Sequence, residues 1–95
     1  MVKSILQNEK VCYITGSRYC LERHHIYFGP NRKVSEANGF WIWLVRELHT
    51  GTNFAVHGKN GYELDMRLKR ECQAKFEESH SRDEFMALIG RNYLD

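Results

Sequence analysis

Ninety-five residues with 42% hydrophobic and 13% aromatic side chains suffice for one small folded domain and leave no room for a second core. A net charge of +2 excludes a polycation, and the apolar content excludes a disordered chain. No run approaches the roughly 18 consecutive apolar residues of a membrane span, and MVKSILQNEK lacks a signal-peptide core, so the expectation is an intracellular protein with no membrane partner.

In chain order, residues 1–10 read as a short helix or a loosely attached arm. Val11-Cys12-Tyr13-Ile14 has strand character, and Thr15-Gly16-Ser17 reads as a turn. Residues 21–28 are rich in strand formers, predicting a strand that ends near Tyr27, where Gly29-Pro30-Asn31 breaks it. Residues 32–39 form a polar loop with room for one helical turn at 34–37. Residues 40–45, FWIWLV, make a second strand by their length and aromatic content. A helical turn at 47–49 then precedes an irregular loop through Asn60, because Gly51, Gly58 and Gly61 make a longer helix costly there. Residues 62–80 predict the clearest helix. Leu64, Leu68, Cys72 and Phe76 recur every four residues, while Lys69, Arg70, Lys75 and Glu78 face away. Ser81, with Glu84 three residues on, forms a capping box for a last helix that ends at Gly90. The chain thus divides into an arm (1–10), a core (11–61) and a helical clamp (62–95) of one domain.

Three cysteines, Cys12, Cys20 and Cys72, are odd in number and form no C-x-x-C pair, so no disulfide framework is expected. Cys72, on the apolar side of its helix, reads as a small buried hydrophobe. The basic residues Arg18, Arg23, Arg32 and Lys33 flank a histidine pair, and such a local basic face suits phosphate backbones even at low total charge.

The chemistry concentrates between Leu21 and His57, which hold His24, His25, His49 and His57, both tryptophans and the only proline. Adjacent histidines on a strand point to opposite faces, so one can hold a metal while its neighbour addresses a substrate. Imidazoles suit divalent transition metals, and a metal with an open position stabilises a phosphodiester transition state. A neutral histidine beside it can take a proton from water near pH 7. One of Trp41 and Trp43 is expected in the core, and the other on the alternate face as a contact anchor. His80 is expected in solvent.

The series L-E-R-H-H-I-Y-F-G-P-N-R-K, W-x-W-L-x-x-E-x-H-x-G-T-N and V-H-G, following Cys12, resembles small phage-type members of the HNH (ββα-metal) endonuclease superfamily over roughly residues 11–61. The resemblance implies an α+β fold, a two-stranded ββα-metal core clamped by C-terminal helices. It makes His25 the general base that activates water, and His24 and His49 the metal ligands. Asn53 and His57 lie where a third polar contributor would come from, although His57 is read first as a loop residue with no ligand role. Arg23, Arg32 and Lys33 would meet the DNA backbone, with magnesium, manganese or zinc as the divalent ion. The implied setting is the cytoplasm of a bacterial host, with the protein encoded by a phage.

The chain departs from that family at its zinc staple. Where stapled members carry two Cys-x-x-Cys or Cys-x-x-His knuckles, this chain has Cys12-Tyr13-Ile14-Thr15 and Val45-Arg46-Glu47-Leu48. One ligand of four remains, so no structural zinc is expected; Val45 and Leu48 would fill the space, and Cys12 would become an ordinary buried thiol. Two readings follow. In the first, the protein is a metal-dependent DNA endonuclease or nickase that replaced its staple by an apolar plug. In the second, it is a catalytically inactive HNH-like scaffold that binds and inhibits a host defence nuclease, an inhibitor of the anti-CRISPR kind. That second reading puts the contacts on Glu71, Glu77, Glu78 or an exposed tryptophan.

Overall fold

The computed structural model describes residues 2–94. It is a small α+β fold in which one antiparallel hairpin is surrounded by helices. Strand β1 (Leu21–His25) pairs with β2 (Trp41–Val45), placing Leu21 opposite Val45, Arg23 opposite Trp43, and His25 opposite Trp41. The intervening residues, Glu22 opposite Leu44 and His24 opposite Ile42, point to the other face. β2 is rich in strand formers. β1, LERHH, is not, and it is extended because β2 supplies its ladder partners.

Between the strands, a 3₁₀ turn (Gly29–Asn31) leads into helix α1 (Arg32–Asn38). The sequence suggested one helical turn here; the structure has a full seven-residue helix. Buried Ser35 supplies the reason. Its hydroxyl donates to the Tyr27 carbonyl at 2.6 Å and accepts the Tyr27 amide at 3.2 Å, which hooks the helix onto the exit of β1. Gly39 ends α1 with φ 75°, and a side chain there would overlap the Lys3 carbonyl oxygen.

That contact belongs to the N-terminal segment, which is neither helical nor loose. Ile5 donates to the Gly39 carbonyl at 3.0 Å and the Ser4 hydroxyl to the Trp41 carbonyl at 2.6 Å. The Trp43 amide donates to Gln7 Oε1 at 2.8 Å, and its carbonyl accepts from Tyr13 at 2.8 Å. The segment therefore satisfies the outer edge of β2, which would otherwise present unpaired backbone groups to solvent. Residues 11–14 make no strand of their own. Cys12 opens a turn closed by Gly16 donating to its carbonyl at 2.9 Å.

After β2 comes a single helical turn, α2 (Arg46–His49), and then an irregular loop to Gly61. Helix α3 (Tyr62–Phe76) presents Leu68, Cys72 and Phe76 to a core shared with Ile42, Leu44, Val56, Tyr27 and Phe40. It stops before the expected His80, which stacks on Phe76 with ring centroids 4.2 Å apart. Helix α4 (Arg82–Ile89) begins with the predicted capping box, Ser81 to Glu84 and back, and ends at Gly90 with φ 86°. Its Phe85 is fully buried and meets the Tyr27 ring edge-on at 5.5 Å. All three cysteines are free thiols, with Cys12 and Cys72 buried. No helix among the described residues is long and apolar enough to cross a membrane.

Two expectations are corrected. Lys69 was placed on the outer face of α3, yet it is buried. Both oxygens of Asp65, one helical turn earlier, accept from its ammonium at 2.7 Å, and the Phe28 ring lies 4.0 Å from its Nζ. Trp41 and Trp43, two residues apart, share one sheet face rather than alternate faces, as a strand's period of two requires. Trp41 is buried and Trp43 half-buried, with ring centroids 5.6 Å apart.

Gly39→Ala is expected to lower folding stability by about 2 kcal/mol, combining left-handed strain with the overlap on Lys3. It should also raise amide exchange at Ile5 selectively. A thermal midpoint equal to wild type would show that the arm does not depend on this contact.

Candidate metal centre

His24, His49 and His57 come from three different elements, yet each offers a ring nitrogen within 4.8 Å of the others. β1 aims His24 inward beside Ile42, where it is 1% exposed. α2 ends in His49. The following loop turns back so that Val56 donates to the Leu48 carbonyl at 2.7 Å and His57 to the His49 carbonyl at 3.2 Å. Gly58 makes that return possible, because a Cβ there would run into the carbonyl oxygens of Thr52 and Asn53. The three rings meet edge-on, with centroids 4.9–5.3 Å apart.

His24 is the test of whether this arrangement suits a cation. Among the described residues neither of its nitrogens has a hydrogen-bond partner, although both are buried. An orphaned imidazole inside a protein costs free energy, which a ligand at either nitrogen would recover. Burial, reinforced by His57, His49, Lys69 and His25, holds the ring far below the usual histidine range, at about 2. It is therefore neutral, the form in which an imidazole ligates metal. His57 is lowered as well, first by burial and then by His49, with Asp65 acting in the opposite direction.

His49 is held from behind. Glu22 Oε1 lies 2.9 Å from His49 Nδ1. A carboxylate only accepts, so the proton sits on Nδ1 and Nε2 keeps its lone pair. The hydrogen bond from His49 keeps the Glu22 carboxyl below its ordinary value. Three imidazoles with no fourth protein donor among the described residues leave a position open, the pattern of reactive rather than structural sites.

His25 lies on the opposite face of β1 from His24 and lines a pocket of about 450 Å³ with Arg23, Phe28, Arg32, Glu36, His49 and His57. Its Nε2 is 3.2 Å from Glu36 Oε1, and the same carboxylate receives Arg23 at 3.2 and 3.3 Å. Those contacts, the His25 bond first, lower the Glu36 carboxyl. With Nε2 engaged, Nδ1 is the nitrogen left to meet a water molecule. The pocket thus combines a candidate base, its orienting carboxylate, two guanidinium groups and two of the three clustered imidazoles.

The sequence-derived residues therefore divide. His24 and His49 are in the cluster; His25, Arg23 and Arg32 line the pocket beside it. Lys33 is exposed on α1 in a neighbouring shallow groove shared with Arg32. Asn53 is exposed on the loop and is not among the pocket-lining residues. The third imidazole is His57, whose ligand role sequence reasoning weighed and set aside. Its only sequence signal was a V-H-G following the aromatic run. Glu22 and Glu36, the two carboxylates that hold the site histidines, were missed.

Cys12, Val45 and Leu48 pack into one apolar cluster, with the Cys12 thiol buried as expected. Burial raises its pKa, and hydrogen bonds from Thr15, Val45 and Ile14 outweigh that, leaving it below the ordinary thiol value.

Because His24 is costly without a ligand, His24→Leu is expected to stabilise the metal-free protein by about 1 kcal/mol while abolishing any metal-induced rise in thermal midpoint. Folded His24 and His57 bind protons less readily than in the unfolded chain. Stability of the metal-free protein should therefore be full above about pH 6.5 and fall as the pH drops below it. Thermal melts in chelator across that range check the sign, and His24→Leu should show the shallower decline. An equal decline in both proteins would place the acid sensitivity elsewhere.

Compared with protein-family models, with curated proteins and with solved structures, the chain finds no match.

Proposed function

We propose that this protein is a metal-dependent DNA endonuclease or nickase of the HNH-like kind, with the β1–β2 hairpin and α2 serving as its ββα-metal core. The observation that carries the reading is the juxtaposition of three imidazoles sharing one cation-sized space with His25, Arg23 and Arg32 in the adjoining pocket. An all-nitrogen donor set favours zinc or nickel, with manganese less suited and magnesium, which prefers oxygen, least.

When bound, the divalent ion supplies Lewis-acid stabilisation of charge developing on the phosphate oxygens. The chain's own residues do the rest. Arg32 and Arg23 hold the phosphate in register. His25 Nδ1 takes the proton from the attacking water as its oxygen bonds to phosphorus and the opposite P–O ester bond breaks, the departing strand oxygen taking its proton from solvent. Glu36, bonded to Nε2, fixes the ring and compensates its charge once protonated. His57 and His49 also border the pocket, so an ion held by them would lie beside the groups that bind the phosphate.

The inhibitor reading draws less support from the surface. Glu71 is engaged with the Tyr13 hydroxyl at 2.7 Å and with Arg67 at 2.8 Å, Glu77 with Arg82 at 3.2 Å, and Glu78 with Lys75 at 3.2 Å. Neither tryptophan is an exposed anchor.

Supercoiled plasmid incubated with purified protein in zinc, nickel, manganese or magnesium should be nicked, and His25→Ala should abolish nicking while leaving thermal stability nearly unchanged. Glu36→Ala should lower kcat by about 10–100-fold with little change in KM. A folded, metal-loaded wild type that cuts in none of these ions would sink the nuclease assignment and favour a binding scaffold.

A further inference from the structure

The sheet face opposite the core carries a second groove, of about 530 Å³, between the hairpin and the N-terminal segment. Trp41 and Trp43 form its floor, with Arg23, Lys3 and Lys10 around it. The Arg23 guanidinium lies 4.0 Å from the Trp41 ring and 5.4 Å from the Trp43 ring. Lys10 Nζ lies 4.7 Å from Trp43. Glu9, the acid in the groove, pairs with Arg18 at 3.2 Å. Two cations over two indoles, Lys10 and the Glu36-bonded Arg23, with Lys3 beside them and Glu9 already paired, form a surface complementary to an anion that carries an aromatic ring.

Arg23 lines this groove and the pocket beside the histidine cluster alike. Arg23 and His25 are two residues apart on one strand face, about 6.6 Å along the chain. A phosphate held at Arg23 is thereby placed between a reacting position on one side and an aromatic floor on the other.

We propose that this groove binds single-stranded nucleic acid, stacking a base on Trp43 while Lys10, Lys3 and Arg23 take the flanking phosphates. Lys10 is exposed on a flexible chain, so it can leave the ring for a phosphate as a base arrives. Stacking needs the open face of a base, which a duplex hides and a single strand offers. The proposal deepens the nuclease reading by naming its substrate as an unpaired or flap strand, and binding itself needs no metal.

Both tryptophans of the chain lie in the groove, so fluorescence excited selectively at tryptophan reports on it. Titration with a short oligodeoxythymidylate, in chelator, should give saturable quenching, with a duplex of equal length at least about tenfold weaker. By anisotropy of a labelled oligonucleotide, Trp43→Leu should weaken binding at least about fivefold. Lys10→Ala, a surface change that leaves the fold intact, should reduce the slope of log affinity against log salt by about 0.7. Equal affinity for duplex, absence of saturable quenching, or unchanged binding by both variants would each overturn the proposal. Loss of plasmid cleavage with oligonucleotide binding retained would count against the nuclease reading only.

Discussion

The register of two five-residue strands decides what every other element can do. Pairing His24 with Ile42 and His25 with Trp41 sends neighbouring imidazoles to opposite faces, one into the core and one toward a solvent-filled pocket. A slip of one residue would exchange them, burying the candidate base and exposing the ligand. A two-stranded sheet is marginal alone in water, so the register has to be held from outside. The N-terminal segment bonds the outer edge of β2. Ser35 anchors α1 to the residue that leaves β1, and the helical core covers the face carrying Ile42 and Leu44.

Around the cluster, carboxylates stand against the positively charged and proton-donating groups. Three imidazoles and a buried ammonium share a small volume, and burial together with these neighbours disfavours protonation of His24 and His57. Asp65 binds the Lys69 ammonium with both oxygens, so the nearest full positive charge is neutralised before any ion arrives. Glu22 serves the same purpose behind His49. His24 has no such partner among the described residues and is kept neutral by burial. A residue that weakens the empty protein and would strengthen the occupied one is a reason to regard the cluster as built for a ligand.

How far the sequence could be read follows from where each residue's constraint is local. The capping box at Ser81, the stop at Gly90 and the FWIWLV strand are signalled within a few residues, and each is present as read. α1 was seen only as one turn, because its stabiliser, the Ser35 hydroxyl on Tyr27, is a contact eight residues apart between elements. Lys69 looked exposed because helical periodicity says nothing of Asp65 and Phe28 closing over it. His24, His25 and His49 stood out by type and spacing. His57 did not, since its place depends on a loop returning through backbone bonds to Leu48 and His49. The orienting carboxylates Glu22 and Glu36 are long-range partners of the same sort.

Whether such a site can be precise depends on what holds α2. Catalytic groups tolerate little misplacement, and α2, which carries His49, needs a means of being fixed. The structure supplies one. Val45, the last residue of β2, is buried with Cys12, and Leu48, next to His49, packs on the same cluster. The backbone adds to this packing: Arg46 donates to the Cys20 carbonyl at 2.9 Å, and Tyr13 to the Trp43 carbonyl. The Cys12 sulfur accepts from the Thr15 amide at 3.4 Å, which helps hold the turn around it. α2 therefore enters at an angle set by apolar packing and main-chain bonds. His49 inherits its position from that angle, and His57 inherits its own from His49. The apolar packing of Val45 and Leu48 and the histidine cluster therefore meet at α2 yet share no side chain.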